Sequence, residues 1–308
     1  MERRRVLSSG FTLLEIAIVL LIGGLMIGAA ATMVLNYIRE MQMVTTQNRM
    51  QEIDNAIVQY LNVNGVLPCP ASLTTKQDSS LIFARSITDL LAPAADCYNS
   101  AGAGGTFKTK AGRANAGIAP SPPGAIVMGA VPVRSLGLPE EDFADAWGDR
   151  FIYAVTDQLT YKNSYDPTQG AIFVVDSAGV NLTAPAGSAQ YVIVSYGANR
   201  AGAYTLAGVK SGTLCPGPAA ALEKTNCTYA TATFRQTTLN SNKTGNGMFD
   251  DYVTYHTQID SGSIVPAGTI GQFDKATQGP NCPSGWTTYA AGGDACTAGA
   301  DYLCCQKY

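Results

Sequence analysis

Gly10-Phe11-Thr12-Leu13-Leu14-Glu15, running on into IAIVLLIGGLMIGAAATMVL over residues 16–35, is the stretch that decides how the rest of the chain is read. One carboxylate stands at the head of a run that carries no other charge through Leu35. A carboxylate at the centre of a bilayer costs roughly 2.5–3.5 kcal/mol on insertion scales, so an ionisable residue in such a run is a functional candidate. At about 1.5 Å per residue, a helix over 11–35 is long enough to cross a hydrocarbon core of about 30 Å. Arg3, Arg4 and Arg5 against Glu2 precede it, followed by Ser8, Ser9 and Gly10. Positive charge ahead of the apolar run predicts a cytoplasmic leader and export of the C-terminal bulk.

Three readings of this segment compete. An ordinary signal peptide would have the basic n-region, the apolar h-region and a small-residue cut at Ala29-Ala30-Ala31. A plain uncleaved anchor is the second. In the third, the cut precedes the apolar run, after Gly10. Glu15 and the length of the apolar run argue against the first.

The third reading rests on a resemblance. The hexapeptide resembles the N-terminal signal of type IV pilins and type II secretion pseudopilins: a short basic leader, Gly before the cut, Phe after it and Glu fifth beyond it. The resemblance implies that a prepilin peptidase cleaves between Gly10 and Phe11 and N-methylates Phe11. It implies as partners other pilin subunits, that peptidase and an inner-membrane assembly platform. Cleavage would expose an amine on Phe11, one helical turn from Glu15. Glu15 near a helix N-terminus gains from the helix dipole, and burial in a helix bundle favours a charged partner. The amine of a neighbouring subunit is such a partner, which makes Glu15 the expected assembly residue. The alternative is a glutamate reaching toward lipid headgroups. Gly23, Gly24 and Gly28 permit close helix contact and are equally ordinary membrane-helix residues.

Composition bounds the remainder. Charged residues make up only 14% and hydrophobic residues 46% of 308, with 32 Gly and 15 Pro, which describes a loop-rich folded chain rather than a disordered one. The leader's three arginines against one glutamate remove two positive charges, so the net charge of −3 becomes −5 beyond Gly10. No other basic cluster occurs, so direct nucleic-acid binding is not expected. Eight cysteines, at 69, 97, 215, 227, 282, 296, 304 and 305, read as a disulfide set in an exported chain. Proximity suggests Cys69–Cys97 and Cys215–Cys227. Cys282, Cys296, Cys304 and Cys305 would then pair among themselves. The C-x₂₋₄-C pairs of a zinc site are missing.

Residues 36–62 contain neither Gly nor Pro, and Met50, Ile53, Ile57, Tyr60 and Leu61 recur at helical period, so one helix is expected from near Phe11 to about Asn62. Gly65 and Pro68 end it. Strands are expected at 151–156, 171–176, 190–195 and 252–256, each β-branched or aromatic-rich and bounded by turn residues. The expected fold class is α+β: a long N-terminal stalk helix, half membrane and half amphipathic, packed on an antiparallel β-sheet, with a disulfide-rich C-terminal extension. The expected divisions are a leader over 1–10, a transmembrane and assembly half over 11–35, and an amphipathic half over 36–62. An exported domain over 63–260 and a Cys-rich extension over 261–308 follow. The expected location is the bacterial inner membrane, single-pass with a periplasmic C-terminal domain, and then a periplasmic or extracellular filament.

Further segments share a resemblance. Asp145-Ala146-Trp147-Gly148-Asp149-Arg150 and Tyr153, then Ser195-Tyr196-Gly197-Ala198-Asn199, then GNGMFDDYVTY over 245–255, are similar in kind and order to segments of the G-type pseudopilins. In that family the closing loop binds calcium. The resemblance implies Asp250 and Asp251 as carboxylate ligands, in keeping with the oxygen donors calcium takes. Asn199 stands where that family has Asp, and residues 200–244 include an insertion carrying Cys215 and Cys227. The other reading of Asp250 and Asp251 is a solvated turn before a strand.

Catalytic chemistry has little to draw on. His256 is the only histidine and lies within a strand pattern; there is no nucleophile elbow and no Walker A motif. Glu140, Glu141 and Asp142 follow Pro139, as acids commonly do at a helix start. The expectation is a non-enzymatic structural subunit, minor rather than major, of a type IV pilus or type II secretion pseudopilus, with no cofactor other than calcium. An adhesin acting through the Cys- and aromatic-rich residues 277–308 is the alternative, and a secreted enzyme behind an ordinary signal peptide is a third.

Overall fold

The computed structural model describes residues 13–77, 82–86, 97, 107–109, 124–161, 165–213, 215–218, 220–229, 231–240, 245–257, 270–274, 286–288 and 302–307. Gly10, Phe11, Cys282, Cys296 and most of residues 277–308 lie outside them. The chain divides into two compact units, Met1–Thr46 and Gln47–Tyr308.

Helix α1 runs over Leu13–Asn64. Gly65 ends it with φ +70°, a conformation that costs glycine nothing, and its N–H donates to the Leu61 carbonyl at 2.8 Å. Strands β1 (Phe107–Thr109), β2 (Ile126–Ala130), β3 (Ile152–Thr156), β5 (Tyr191–Ser195) and β7 (Tyr252–His256) form a five-stranded antiparallel sheet in the order β1-β2-β3-β5-β7. β4 (Phe173–Val175) and β6 (Thr233–Arg235) pair in parallel. β8 (Ile270–Asp274), β9 (Trp286–Thr288) and β10 (Tyr302–Lys307) form a third sheet in the order β8-β10-β9.

Two expectations are corrected here. Among the described residues no helix is long and apolar enough to cross a membrane. The transmembrane half over 11–35 is withdrawn, and with it the single-pass inner-membrane placement. Glu15 stands at the head of the run, and Gly23, Gly24 and Gly28 interrupt its large apolar side chains. The fold class is also corrected: α1 is not a stalk packed along a sheet. Large apolar side chains from Leu13 to Val44 are exposed, and the buried apolar residues Met50, Ile53, Ala56, Ile57, Val58 and Leu61 lie near its C-terminal end. The body is sheet-rich, with three sheets rather than one among the described residues. The physical reason lies in the strands: every residue of β2, β3 and β5 is buried, so both faces of the sheet need cover. Much of that cover comes from connecting segments, through Leu67, Leu73, Phe83, Val133, Phe143 and Leu159. The segment at 171–176, expected as one of four strands of a single sheet, contains β4, which instead pairs with β6, a pairing that propensity alone did not suggest.

Polar side chains buried in this core tie the connections to the sheet. Arg150, fully buried just before β3, donates through Nη1 to the carbonyls of Ser72 and Leu73, both at 2.9 Å. Its Nη2 donates to the carbonyls of Thr75 and Leu206. The guanidinium also lies over the rings of Phe83 and Phe143, at 5.4 and 4.9 Å. Burial lowers its pKa to about 10, which still leaves it charged at neutral pH. Disulfides Cys69–Cys97 and Cys215–Cys227 are both formed, with Cα separations of 5.4 and 5.8 Å. The side chains of Cys304 and Cys305, on β10, lie outside the described residues.

Replacing Arg150 by Ala leaves these carbonyls without their donor. At about 1–3 kcal/mol for each buried group left unpaired, Arg150→Ala is expected to destabilise unit Gln47–Tyr308 by at least about 3 kcal/mol in urea denaturation. A loss below about 1 kcal/mol would show that the clamp is dispensable.

Candidate cation site

The segment from Asp145 to Arg150 makes a tight corner into β3. The buried Asp145 carboxylate accepts from the backbone N–H of Trp147 and Asp149, both at 3.0 Å, and from Ser195 Oγ at 2.7 Å. Gly148 turns the chain with φ +84°. Trp147 stacks on Tyr252 with ring centroids 5.9 Å apart. Burial raises the Asp145 pKa to about 6. Asp149, fully buried, pairs with Arg200 through two 2.5 Å contacts. The corner therefore links the ends of β3 and β5 to the loop that follows β5.

That loop brings Asn199 to the start of β7. Its backbone N–H donates to Asp250 Oδ2 at 2.9 Å, and its side chain donates to Glu223 Oε2 at 2.7 Å. Gly197 has φ +60°, and a Cβ there would collide with the Asp250 carbonyl, so only glycine fits the approach. Asp250 and Asp251, immediately before β7, meet Glu223 from the 3-10 helix Leu222–Lys224. Oxygen atoms of the three carboxylates lie within 4.8 Å of one another, and all three residues are buried. The Asp250 N–H donates to Glu223 Oε1 at 3.0 Å. Asn226 Nδ2 donates to Asp251 Oδ2 at 2.8 Å.

Two oxygens are left over. Asp250 Oδ1 and Asp251 Oδ1 are buried with no hydrogen-bond partner. Among the described residues, none of the three carboxylates makes an ion pair with Lys or Arg. Burial, followed by the neighbouring Glu223 carboxylate, pushes the Asp250 pKa up to about 7. Burial and the charge of Glu223 likewise push Asp251 well above the usual carboxylate range. Buried carboxylates with unpaired oxygens are costly unless a proton or a cation joins them.

The structure thus brings together Asp250 and Asp251, named from sequence, and adds Glu223, which was not. The signal for Glu223 was an acid inside the short Cys215–Cys227 interval. Asn199, the departure from Asp, acts as a donor to two of the carboxylates and accepts from the Ala201 N–H at 2.7 Å. His256 lies elsewhere, at the far end of β7. Its Nε2 is 2.6 Å from Asp54 Oδ1 on α1, and its ring stacks on Tyr191 at 4.8 Å. Tyr191 Oη also donates to Asp54 at 3.0 Å. Among the acids expected at a helix start, Glu140–Phe143 is a 3-10 helix; Glu140 pairs with Arg134, and buried Asp142 lies 3.8 Å from Arg49. Glu15 lies near the start of α1 and is exposed. No family model, curated relative or solved structure matches this chain.

A carboxyl whose folded pKa exceeds its unfolded one binds more protons in the folded state, so stability falls as pH rises between the two values. For Asp250 that window runs from about 4 to about 7. In EDTA, the chain is therefore expected to melt at a higher temperature at pH 5 than at pH 7.5. Asp250→Asn should reduce this difference, leaving what Asp145 and Asp251 contribute. An unchanged pH slope in Asp250→Asn would contradict the assignment.

Proposed function

We propose that this protein is a non-enzymatic structural subunit of a type IV pilus or type II secretion pseudopilus, inserted into its filament through α1. The observation that carries the reading is the segment Gly10–Glu15 at the head of a helix whose described large apolar side chains from Leu13 to Val44 are exposed. Leu13, Leu14, Val19, Leu20, Leu25 and Met33 are each at least two-thirds exposed. An apolar helix surface of this extent needs a partner surface. Copies of the same helix supply one, with Glu15 pairing with the amine that cleavage creates on a neighbour's Phe11. The rest of the chain is then carried by the filament so formed.

Mass spectrometry of the mature chain is expected to find N-methylated Phe11 at its start. Thr32 there would mean an ordinary signal-peptide cut and would sink the proposal. Glu15→Ala is expected to be lost from the sheared filament fraction while the cellular level of the chain is unchanged; incorporation at the wild-type level would remove the register role of Glu15.

A second feature of the proposal concerns Glu223, Asp250 and Asp251. The cluster fits a calcium ion: three hard oxygen donors converge, and two of their buried oxygens are unpartnered. Bound calcium would supply positive charge to three acids that have no cationic partner of their own among the described residues. Asn199 would orient Asp250 and Glu223, and Asn226 would orient Asp251. Millimolar calcium is expected to raise the melting temperature by several degrees at pH 7.5, and no shift would remove calcium from the reading.

A further inference from the structure

We infer that the inserted loop closed by Cys215–Cys227 is the arm that completes the cation site, and that its disulfide holds Glu223 in place as the third carboxylate ligand. The inference rests on the calcium reading above. Asp250 and Asp251 sit on the chain just before β7 and are placed by the sheet. Glu223 has no such support: it belongs to a three-residue 3-10 helix in a loop containing no strand. Its position is set by the loop's closure together with the contacts the loop makes to residues 196–202, Asp250 and Arg235.

The contacts show how the arm is fastened. Four residues past Glu223, Cys227 closes the loop to Cys215 and its N–H donates to the Glu223 carbonyl at 3.2 Å. Between them, Asn226 turns back, its N–H also reaching the Glu223 carbonyl at 3.1 Å and its side chain reaching Asp251. Asn226 holds the start of the return path too, accepting from the Arg235 N–H at 2.6 Å and donating to the Arg235 carbonyl at 3.0 Å. The loop lies tight against residues 196–202. Gly202 has φ +90° and approaches Cys227 so closely that a Cβ there would clash with the Cys227 side chain. Tyr196 Oη lies 3.1 Å from the Asn226 carbonyl and 3.0 Å from the Tyr229 hydroxyl, which donates to the Gly202 carbonyl.

Charge acts against this arrangement. Without a cation, Glu223, Asp250 and Asp251 repel one another in a water-poor site, and the free motion open to them is for the Glu223 arm to swing out. A cross-link spanning 12 positions restricts that motion before the ion arrives. It removes ordering cost from binding, since a short closed loop has few conformations to lose. The Asp250–Asp251 pair alone offers a site at the start of β7; the disulfide loop makes it three-sided.

Calcium binding to the full chain, followed by isothermal titration with calcium chloride at pH 7.5, tests this. Cys215→Ser with Cys227→Ser is expected to weaken binding at least about tenfold, in the range seen when groups supporting metal ligands are removed. Cys69→Ser with Cys97→Ser, which opens the other described disulfide, should leave affinity unchanged. Glu223→Gln, which keeps the disulfide, should also weaken binding at least about tenfold while raising the melting temperature in EDTA. If the wild-type chain takes up no calcium, the calcium reading fails and this inference with it. If the wild type binds and the Cys215/Cys227 variant binds equally well, the arm is refuted and the calcium reading stands. Should that variant fail to fold, Glu223→Gln decides alone: wild-type affinity overturns the inference.

Discussion

Three buried carboxylates within reach of one another, with no cation of the chain's described residues paired to them, are the constraint around which the second half of this molecule is arranged. Several nearby donors are spent on them. The Asn199 backbone and side chain, the Asp250 N–H and the Asn226 amide each reach one acid, and two oxygens still remain unpartnered. Gly197 is required because the loop must pass the Asp250 backbone at a distance no side chain allows. A protein tolerates this much uncompensated negative charge only where protons or a metal ion settle it, and burial raises the pKa values of both aspartates accordingly. The cost of folding this region is thus coupled to what occupies the site.

Other buried charges have opposite charges or several hydrogen-bond partners, and the contrast is informative. Arg150 spends its guanidinium on four backbone carbonyls and two aromatic faces. Asp149 has Arg200, and Asp145 has two backbone N–H groups and the Ser195 hydroxyl. Asp54 meets both His256 and Tyr191, so the end of α1 is tied to β5 and β7 by polar contacts as well as by the apolar packing of Ile53 and Ile57. Each of these is a fastening between segments distant in sequence. Set beside them, the Glu223–Asp250–Asp251 cluster gathers three carboxylates with no cation paired to them among the described residues.

Much of the strand content was legible as sequence because buried strands must be apolar and β-branched: 151–156, 190–195 and 252–256 each coincide with a strand. The end of α1 was legible because Gly65 and Pro68 leave a helix nowhere to go. What was not legible had a physical cause in each case. The segment at 171–176 has strand composition, but composition does not name a partner, and β4 pairs in parallel with β6 rather than joining the larger sheet. The run at 16–35 reads as membrane-spanning by its lack of charge, yet no described helix is long and apolar enough to cross a membrane. The amphipathic pattern over 36–62 predicted a helix face packed against the sheet along its length, whereas the connecting loops take up most of that role.

Asp250 and Asp251 were implied by the resemblance; by itself, the sequence determined the end of α1, the place of β3, β4, β5 and β7, and the two disulfide pairs of short separation. These depend on interactions between near neighbours: backbone propensity, the period of apolar residues and short loop closure. Only the tertiary structure decided that Glu223 joins Asp250 and Asp251, that Asn199 serves as a donor, and that Asp54 meets His256. Those juxtapositions arise where loops of unrelated composition are forced together by the burial of the sheet, and no local pattern encodes a distance between residues 27 positions or 200 positions apart.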